Sequence, residues 1–168
     1  MVINLFKYSL VFVVSVLLQV LIFNNILIAR MISPFFYILF ILLLPFNTPR
    51  ALLLFLSFML GLIVDIFTNT PGVHASAALL IGFIRPGVLQ LISSRETLES
   101  VTAPRVENMG VSWFAGYTTI LVIIHHLFLF IIEAFTFEGI LITLLRVILS
   151  SILSVVLIVL SQFLIFRK

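Results

Sequence analysis

Ionisable side chains stand inside strongly apolar stretches of this chain, where lipid rather than water is the expected solvent. An ionised group at the centre of a bilayer costs about 2.5–3.5 kcal/mol, so it normally faces neighbouring helices or a wet cavity. Each such residue is therefore a candidate member of a polar interior or of a pocket for a partner or ligand. The residues are Asp65, Arg85, His125, His126, Glu133 and Arg146.

Asp65 is the only carboxylate before Glu96 and lies deep in the apolar run that begins at Arg50. Ser57 and Gly61 precede it at intervals of four, so the three residues share one face of a helix. A face of small and polar residues suits close packing between helices in lipid. Ser57 and Gly61 are therefore predicted to be helix-packing positions.

Histidines recur in the apolar runs but lack the spacing of a metal site. The pattern His-Glu-x-x-His is absent, and His126 and Glu133 are seven residues apart, too far for direct contact along one helix. We expect the histidines to be packed and hydrogen-bonded, with no metal and no cofactor. A metal site assembled from His74, His125, His126 and Glu133 is the weaker alternative.

Small polar residues form a stripe in the last apolar run. Thr143, Ser150, Ser154 and Ser161 recur at roughly helical spacing, with Arg146 on the same stripe. Such residues in lipid more often pack helices together than perform chemistry. We therefore predict a structural role for the stripe.

Motifs for catalysis or nucleic-acid binding are absent. The chain has no Gly-x-Ser-x-Gly elbow and no phosphate-binding loop, and no Ser, His and acid stand in a pattern that marks a triad. Lys and Arg are scattered between apolar runs, whereas a nucleic-acid surface needs them clustered. The chain is predicted to be a non-enzyme that binds no nucleic acid.

The composition is that of a membrane protein. Of 168 residues, 63% are hydrophobic and 9% are charged, against about 25% charged in a soluble domain. Cysteine is absent, so disulfides and thiolate metal sites are excluded. The polar stretch 93–112 is too short to build a core of its own. The whole chain, 1–168, is therefore predicted to be one integral membrane domain.

The apolar runs predict an all-α bundle of six transmembrane helices. The second run is short, because its core at 34–44 would measure only about 16 Å as a helix. Asn-Thr-Pro-Gly predicts a tight turn in which Gly72 takes a positive φ, and Pro86 predicts a kink in the fourth span. In the first span, Ser15 and Gln19 should face the bundle. The predicted spans are about 8–28, 31–45, 50–67, 73–92, 113–135 and 140–166, with a cytoplasmic loop at 93–112.

Basic residues near the span ends predict the orientation, because cytoplasmic loops are enriched in Lys and Arg. With both termini in the cytoplasm, only Arg30 falls in an outer loop. The inner side then holds Lys7, Arg50, Arg95, Arg105, Arg167 and Lys168.

This layout also predicts an ion pair. It puts Asp65, Glu133 and Arg146 towards the outer leaflet, with Arg85 and the paired histidines closer to mid-depth. Opposite charges at similar depth should pair, because an unpaired charge in hydrocarbon is costly. We therefore predict that Arg146 bonds Asp65 or Glu133.

The chain resembles the bacterial rod shape-determining protein MreD family over essentially its whole length. The resemblance rests on local motifs joined to the size and the six-span layout. These motifs are GLIVDIF with GVHASA (Gly61, Asp65, Gly72, His74, Ala75), FIRP (Phe83, Arg85, Pro86), the junction ENMGVSWFAGY (Glu107 to Tyr117) and HHLFLFIIEAF (His125, His126, Glu133).

The resemblance implies a non-enzymatic scaffold in the bacterial inner membrane that helps organise lateral peptidoglycan synthesis and maintain rod shape. Implied partners are an MreC-like single-span membrane protein, the MreB filament, the glycosyltransferase RodA, a penicillin-binding transpeptidase and membrane lipid. The family is also similar in helix arrangement to substrate-binding subunits of energy-coupling-factor transporters. A small-solute-binding membrane subunit is therefore the alternative function, and an intramembrane enzyme is a weaker third.

Overall fold

The computed structural model describes residues 2–25, 32–135 and 139–165, and its regular secondary structure is helical. A short 3₁₀ turn at Phe23–Asn25 follows the first helix. The α-helices of the described part are α1 (Val2–Leu21), α2 (Ile38–Leu43), α3 (Arg50–Thr68), α4 (Val73–Ile92), α5 (Arg95–Ser100), α6 (Val106–Met109), α7 (Val111–Ala134) and α8 (Ile140–Ile165).

Within the described residues, five helical stretches are long and apolar enough to cross a membrane, as a polytopic membrane protein requires. They agree with the first, third, fourth, fifth and sixth predicted spans, although α1 begins at Val2, earlier than predicted. The predicted ends of the first and sixth spans fall partly outside the described residues. The spanning stretches are Phe6–Asn25, Arg50–Thr68, Val73–Ile92, Val111–Ala134 and Ile140–Leu164.

The prediction of a membrane-length helix at 31–45 is wrong. Only α2, six residues long, is helical there, and residues 33–36 before it form no regular structure. Pro34 has no N–H to donate and disfavours helix in the residue before it. Residues 35–44 are nevertheless among the most buried of the described chain, at 0–7% exposed. We call Ser33–Leu44 the central segment.

The central segment runs through the interior from one end of the bundle to the other. Its first residues lie beside Asn24 and Glu133, so we call this side the Glu133 end. Two residues after its last residue, Leu44, the N–H of Phe46 donates to the Thr102 carbonyl at 3.2 Å. We call this side, where Lys7 also lies, the Thr102 end. The segment thus occupies the core of the bundle, in contact with α1, α3, α4, α7 and α8.

The helices α3 and α4 form a closely packed antiparallel pair. A Cβ at Gly61 would lie 2.5 Å from Ala75 Cα and would also clash with the His74 carbonyl, so only glycine permits this approach. Ser57, Gly61 and Asp65 are all buried, which confirms that they share the packing face. In the turn between the helices, Gly72 has φ +83°, as predicted.

The helix α4 is continuous from Val73 to Ile92 with Pro86 inside it, so Pro86 does not end the helix, and the kink stays a prediction.

The predicted loop at 93–112 contains the short helices α5 and α6 and the first residues of α7. Ser94 caps α5 by accepting a hydrogen bond from the Thr97 N–H at 3.2 Å.

Candidate functional site

Asp65 caps the start of α4 from the end of α3. Its Oδ1 accepts from the backbone N–H of His74 at 3.0 Å, and its Oδ2 accepts from the N–H of Ala75 at 2.8 Å. Thr70 Oγ1 donates to Oδ1 at 2.5 Å, and His74 Nδ1 lies 3.0 Å from the same oxygen. Because the first N–H groups of a helix lack partners within it, this carboxylate satisfies two of them and fixes the turn.

Arg146 pairs with Glu133 and not with Asp65. Arg146 Nη2 lies 3.5 Å from Glu133 Oε2, which confirms one of the two predicted pairings. The guanidinium also stacks over the Phe130 ring, 4.5 Å from its centroid. The side chains of Arg146 and Glu133 are 28% and 48% exposed, so this pair lies near the surface of the bundle.

Arg85 caps the C-terminal end of α2. It is 1% exposed, and its Nε donates to Tyr117 Oη at 2.8 Å while Nη2 donates to the Leu44 carbonyl. Tyr117 in turn donates to the Leu42 carbonyl at 3.3 Å. The last carbonyls of a helix carry partial negative charge, so Arg85 stabilises the end of α2. Arg85 therefore lies apart from the residues of the Glu133 end.

His126 joins α7 to α8 and, through α8, to the central segment. Its Nδ1 lies 2.8 Å from the Val122 carbonyl, which can only accept, so Nδ1 carries a proton. Its Nε2 lies 3.1 Å from Ser154 Oγ, and Ser154 Oγ accepts from the Phe35 N–H at 3.0 Å. The chain of donors and acceptors is therefore complete from Phe35 to Val122.

His125 and His74 belong to a buried group of rings around Phe35. Tyr37 Oη lies 2.6 Å from His125 Nε2, whereas His125 Nδ1 has no hydrogen-bond partner in the described structure. The ring of Phe35 has its centroid 5.1 Å from His126, 5.5 Å from His74 and 5.9 Å from His125. Such edge and tilted contacts add specific packing to apolar burial.

Gln19 and Ser150 complete the support of the central segment. Gln19 Oε1 accepts from the Phe36 N–H at 2.7 Å and from the Tyr37 N–H at 3.3 Å, and Ser150 Oγ accepts from the Ser33 N–H at 3.1 Å. Non-helical backbone inside a membrane must find such partners. The predicted inward orientation of Gln19 is therefore correct, and the serines of the α8 stripe at 150 and 154 bind the segment.

Sequence reasoning omitted several of these residues from the candidate set. Gln19 and the α8 serines carried a signal, their helical spacing. Tyr117 stood at the end of the ENMGVSWFAGY motif, but no local pattern pointed to Tyr37. Both tyrosines are fully buried and hydrogen-bond residues distant in sequence.

No three His, Asp or Glu side chains converge as a metal site in the described residues. Ser154 Oγ and His126 Nε2 lie within hydrogen-bond distance, as a nucleophile and its base would, but both residues are 0% exposed and both are engaged by backbone groups. In this arrangement the pair supports structure, since no substrate reaches it.

A polar pocket of about 180 Å³ opens at the Glu133 end. Glu133 and Arg146 line it, but Asp65 and His126 do not. Its remaining polar lining comes from α1, the central segment and the α3–α4 turn: Gln19, Asn24, Ser33, Thr68, Thr70 and His74. The pocket thus offers one acid, one arginine, one imidazole and several hydroxyl and amide groups to a small polar group.

In comparisons with protein-family models, with curated proteins and with solved structures, none matches this chain. The functional argument therefore depends on the geometry above and on the motifs of the sequence.

Proposed function

We propose that the chain is a non-enzymatic, multi-pass membrane scaffold of the bacterial cell-elongation machinery, located in the inner membrane. The observation that carries this proposal is the use of the interior polar groups. Asp65, Arg85, His126 and Gln19 each bond backbone groups of the protein itself. Polar residues that bond the protein's own backbone hold the helices in fixed positions. A docking surface for other membrane proteins requires helices fixed in this way.

The motifs that resemble the MreD family support the proposal. Gly61, Asp65, Gly72 and His74 form the tight α3–α4 connection, and Arg85 holds the end of α2. If the resemblance is functional, these residues maintain the bundle rather than contact the partner. The partner would then bind the outward faces of the helices, where large apolar side chains are exposed.

The proposal includes six crossings of the membrane with both termini in the cytoplasm. Five crossings are the long helices and the central segment is the sixth. About five residues in extended form add ~16 Å, and the six residues of α2 add ~9 Å, which together approach the thickness of the hydrocarbon core. The distribution of Lys and Arg then gives the orientation.

Site-specific photo-crosslinking in growing cells tests the scaffold. A photoreactive amino acid is placed at one exposed position on each outward helix: Leu17, Phe55, Phe83, Ile123 or Ile152. We expect one face to crosslink to an MreC-like single-span protein, and purification under native conditions to recover MreB, RodA and the transpeptidase. The matched control is Ile158, which lies on the same helix as Ile152 but is 0% exposed.

Depletion of the protein should convert rod-shaped cells into rounded cells. Normal rods after depletion, or crosslinks at all five positions without any cell-wall synthesis protein, would contradict the scaffold.

The polar pocket at the Glu133 end favours one alternative, a small-solute-binding subunit. An ion pair, other hydrogen-bonding groups and apolar side chains such as Phe35 and Phe130 line its 180 Å³. A mostly apolar lining with a few polar groups is the chemistry of a site for a small molecule. Native mass spectrometry of protein purified from its own membrane distinguishes the two functions. A stoichiometric solute that Arg146→Gln releases would support the alternative, whereas recovery of cell-wall proteins without a solute supports the scaffold.

A further inference from the structure

A second, larger cavity is an apolar groove of about 450 Å³ between α3 and α4 near the Thr102 end. Leu53 and Leu54 contribute from α3, and the last three turns of α4 form the other wall. The groove faces outward, away from the polar interior described above.

The wall from α4 has a notch between two projecting side chains. Phe83, Gly87 and Leu91 follow at intervals of four and share one helix face. Phe83 is 72% exposed and Leu91 is 86% exposed, whereas no atom lies within 4 Å of the place where a Gly87 Cβ would sit. The notch is therefore open and apolar, with room for a flexible hydrocarbon chain.

One end of the groove carries a positive charge. Arg50, the first residue of α3, lines the groove and is exposed. Within the described residues, no carboxylate forms an ion pair with it. The start of α3 also has no side-chain cap, so its N–H groups add partial positive charge beside the guanidinium.

We propose that this groove binds an anionic phospholipid, with the phosphate at Arg50 and an acyl chain along the groove past Gly87. Charge complementarity favours an anionic lipid as the occupant of the groove. A lipid places an anion at the membrane interface and hydrocarbon beneath it, in the same order as Arg50 and the apolar wall. Basic sites at the cytoplasmic ends of helices attract anionic headgroups in this way. The proposal does not depend on the scaffold function.

Native mass spectrometry of the full chain tests the headgroup. Delipidated protein is titrated with dioleoyl phosphatidylglycerol and, separately, with dioleoyl phosphatidylcholine. We expect the wild type to prefer phosphatidylglycerol and Arg50→Gln to reduce that preference about fivefold. Arg95→Gln is the matched control, because Arg95 is also exposed and also begins a helix, yet does not line the groove.

A second pair of variants tests the acyl chain. Gly87→Leu fills the notch and should lower the occupancy of both lipids. Gly116→Leu, at an exposed position on α7 that is equally open, should leave both unchanged. Thermal unfolding of each variant in detergent checks that the fold is retained.

Three outcomes would overturn the proposal. Equal losses for Arg50→Gln and Arg95→Gln would indicate general charge attraction. Equal losses for the two leucine variants would show that the groove is not the site. A crosslink from Leu54 to another protein's transmembrane helix, with no lipid retained, would assign the groove to a protein partner.

Discussion

Asp65 and Arg85 are buried charges that face the ends of helices, at 3% and 1% exposed. A helix end carries about half an elementary charge, positive at the start and negative at the finish. Asp65 therefore binds the N-terminal end of α4, and Arg85 binds the C-terminal end of α2. The sequence predicted that both residues face the interior, but it suggested an ionised partner for Asp65. The positions of charged side chains in a sequence give no information on backbone dipoles. The backbone partners of Asp65 and Arg85 therefore could not be predicted.

Replacement of Asp65 should destabilise the α3–α4 connection. Asp65→Ala leaves two buried N–H groups without an acceptor, and we expect the free energy of unfolding to fall by about 2 kcal/mol. Asp65→Asn keeps one acceptor oxygen and should cost less. Denaturant unfolding in micelles measures both. An alanine variant as stable as the asparagine variant would argue against the capping role.

The two arginines inside the spans should differ in their contribution to stability. Arg85→Met leaves the Leu44 carbonyl buried without its donor and should cost about 2 kcal/mol. Arg146→Met removes a part-exposed ion pair and should cost less than ~1 kcal/mol. The same unfolding measurement compares them. A larger loss of stability for Arg146→Met than for Arg85→Met would show that the Arg146–Glu133 pair contributes more to stability than the bonds at the end of α2.

The central segment is the element where sequence and structure differ most. The spans of α3, α4, α7 and α8 follow from apolar length, and the structure agrees within a few residues. The central segment is equally apolar, but its N–H groups bond Gln19, Ser150 and Ser154, which lie far away in the chain. Local patterns contain no information on such distant partners. The sequence therefore indicated a helix, and only the short length of the apolar run opposed it.

The serines of α8 should separate into supporting and neutral positions. Ser154→Ala removes the acceptor of the Phe35 N–H and should cost about 1–2 kcal/mol and speed hydrogen exchange at Phe35. Ser161 bonds the Ile158 carbonyl of its own helix at 2.6 Å, so Ser161→Ala should cost under ~0.5 kcal/mol. Unfolding and hydrogen–deuterium exchange provide the two measurements. Equal effects of the two substitutions would mean that all serines of the α8 stripe contribute only to helix packing.

Gly61 of α3 and Gly87 of α4 should respond oppositely to a methyl group. Gly61→Ala forces the two helices apart, because a Cβ meets backbone atoms of His74 and Ala75, and should cost about 1–3 kcal/mol. Gly87→Ala meets nothing within 4 Å and gains helix propensity, so stability should rise by up to ~1 kcal/mol. Melting temperatures in detergent rank the variants. A tolerated Gly61→Ala would contradict the close approach.

At the scale of the whole molecule, the apolar composition was sufficient to predict an all-α membrane bundle. The regular helices carry exposed apolar faces, while the buried polar groups are spread along the depth of the bundle. The pocket and the Asp65 cap lie at the Glu133 end, and Arg85 lies towards the Thr102 end. The hydrogen bonds of His125 to Tyr37 and of His126 to Ser154 lie between them. The sequence predicted that Asp65, Glu133 and Arg146 lie towards the outer leaflet and that Arg85 lies nearer mid-depth. Depth along a span does not reveal which helix end a side chain contacts.

Cysteine labelling tests the proposed topology, and the absence of natural cysteine removes background. Pro71→Cys lies in the exposed α3–α4 turn and Glu99→Cys lies in α5. We expect a membrane-impermeant maleimide to label Pro71→Cys in intact spheroplasts, and Glu99→Cys only after permeabilisation. Tags on both termini should be protected until permeabilisation. If the tag at one terminus, but not the tag at the other, reacted from outside the cell, an even number of membrane crossings would be excluded.

The bonds from α8 to the central segment also bear on how the protein is made. Phe35 leaves the ribosome long before Ser154, 119 residues later, which accepts its hydrogen bond. A segment whose backbone is unsatisfied cannot rest alone among lipid tails. During synthesis it must therefore remain in a more hydrated environment, such as the insertion channel or the membrane surface, until α8 has been inserted. The helix α8 thus closes the fold around a segment that was translated 119 residues earlier.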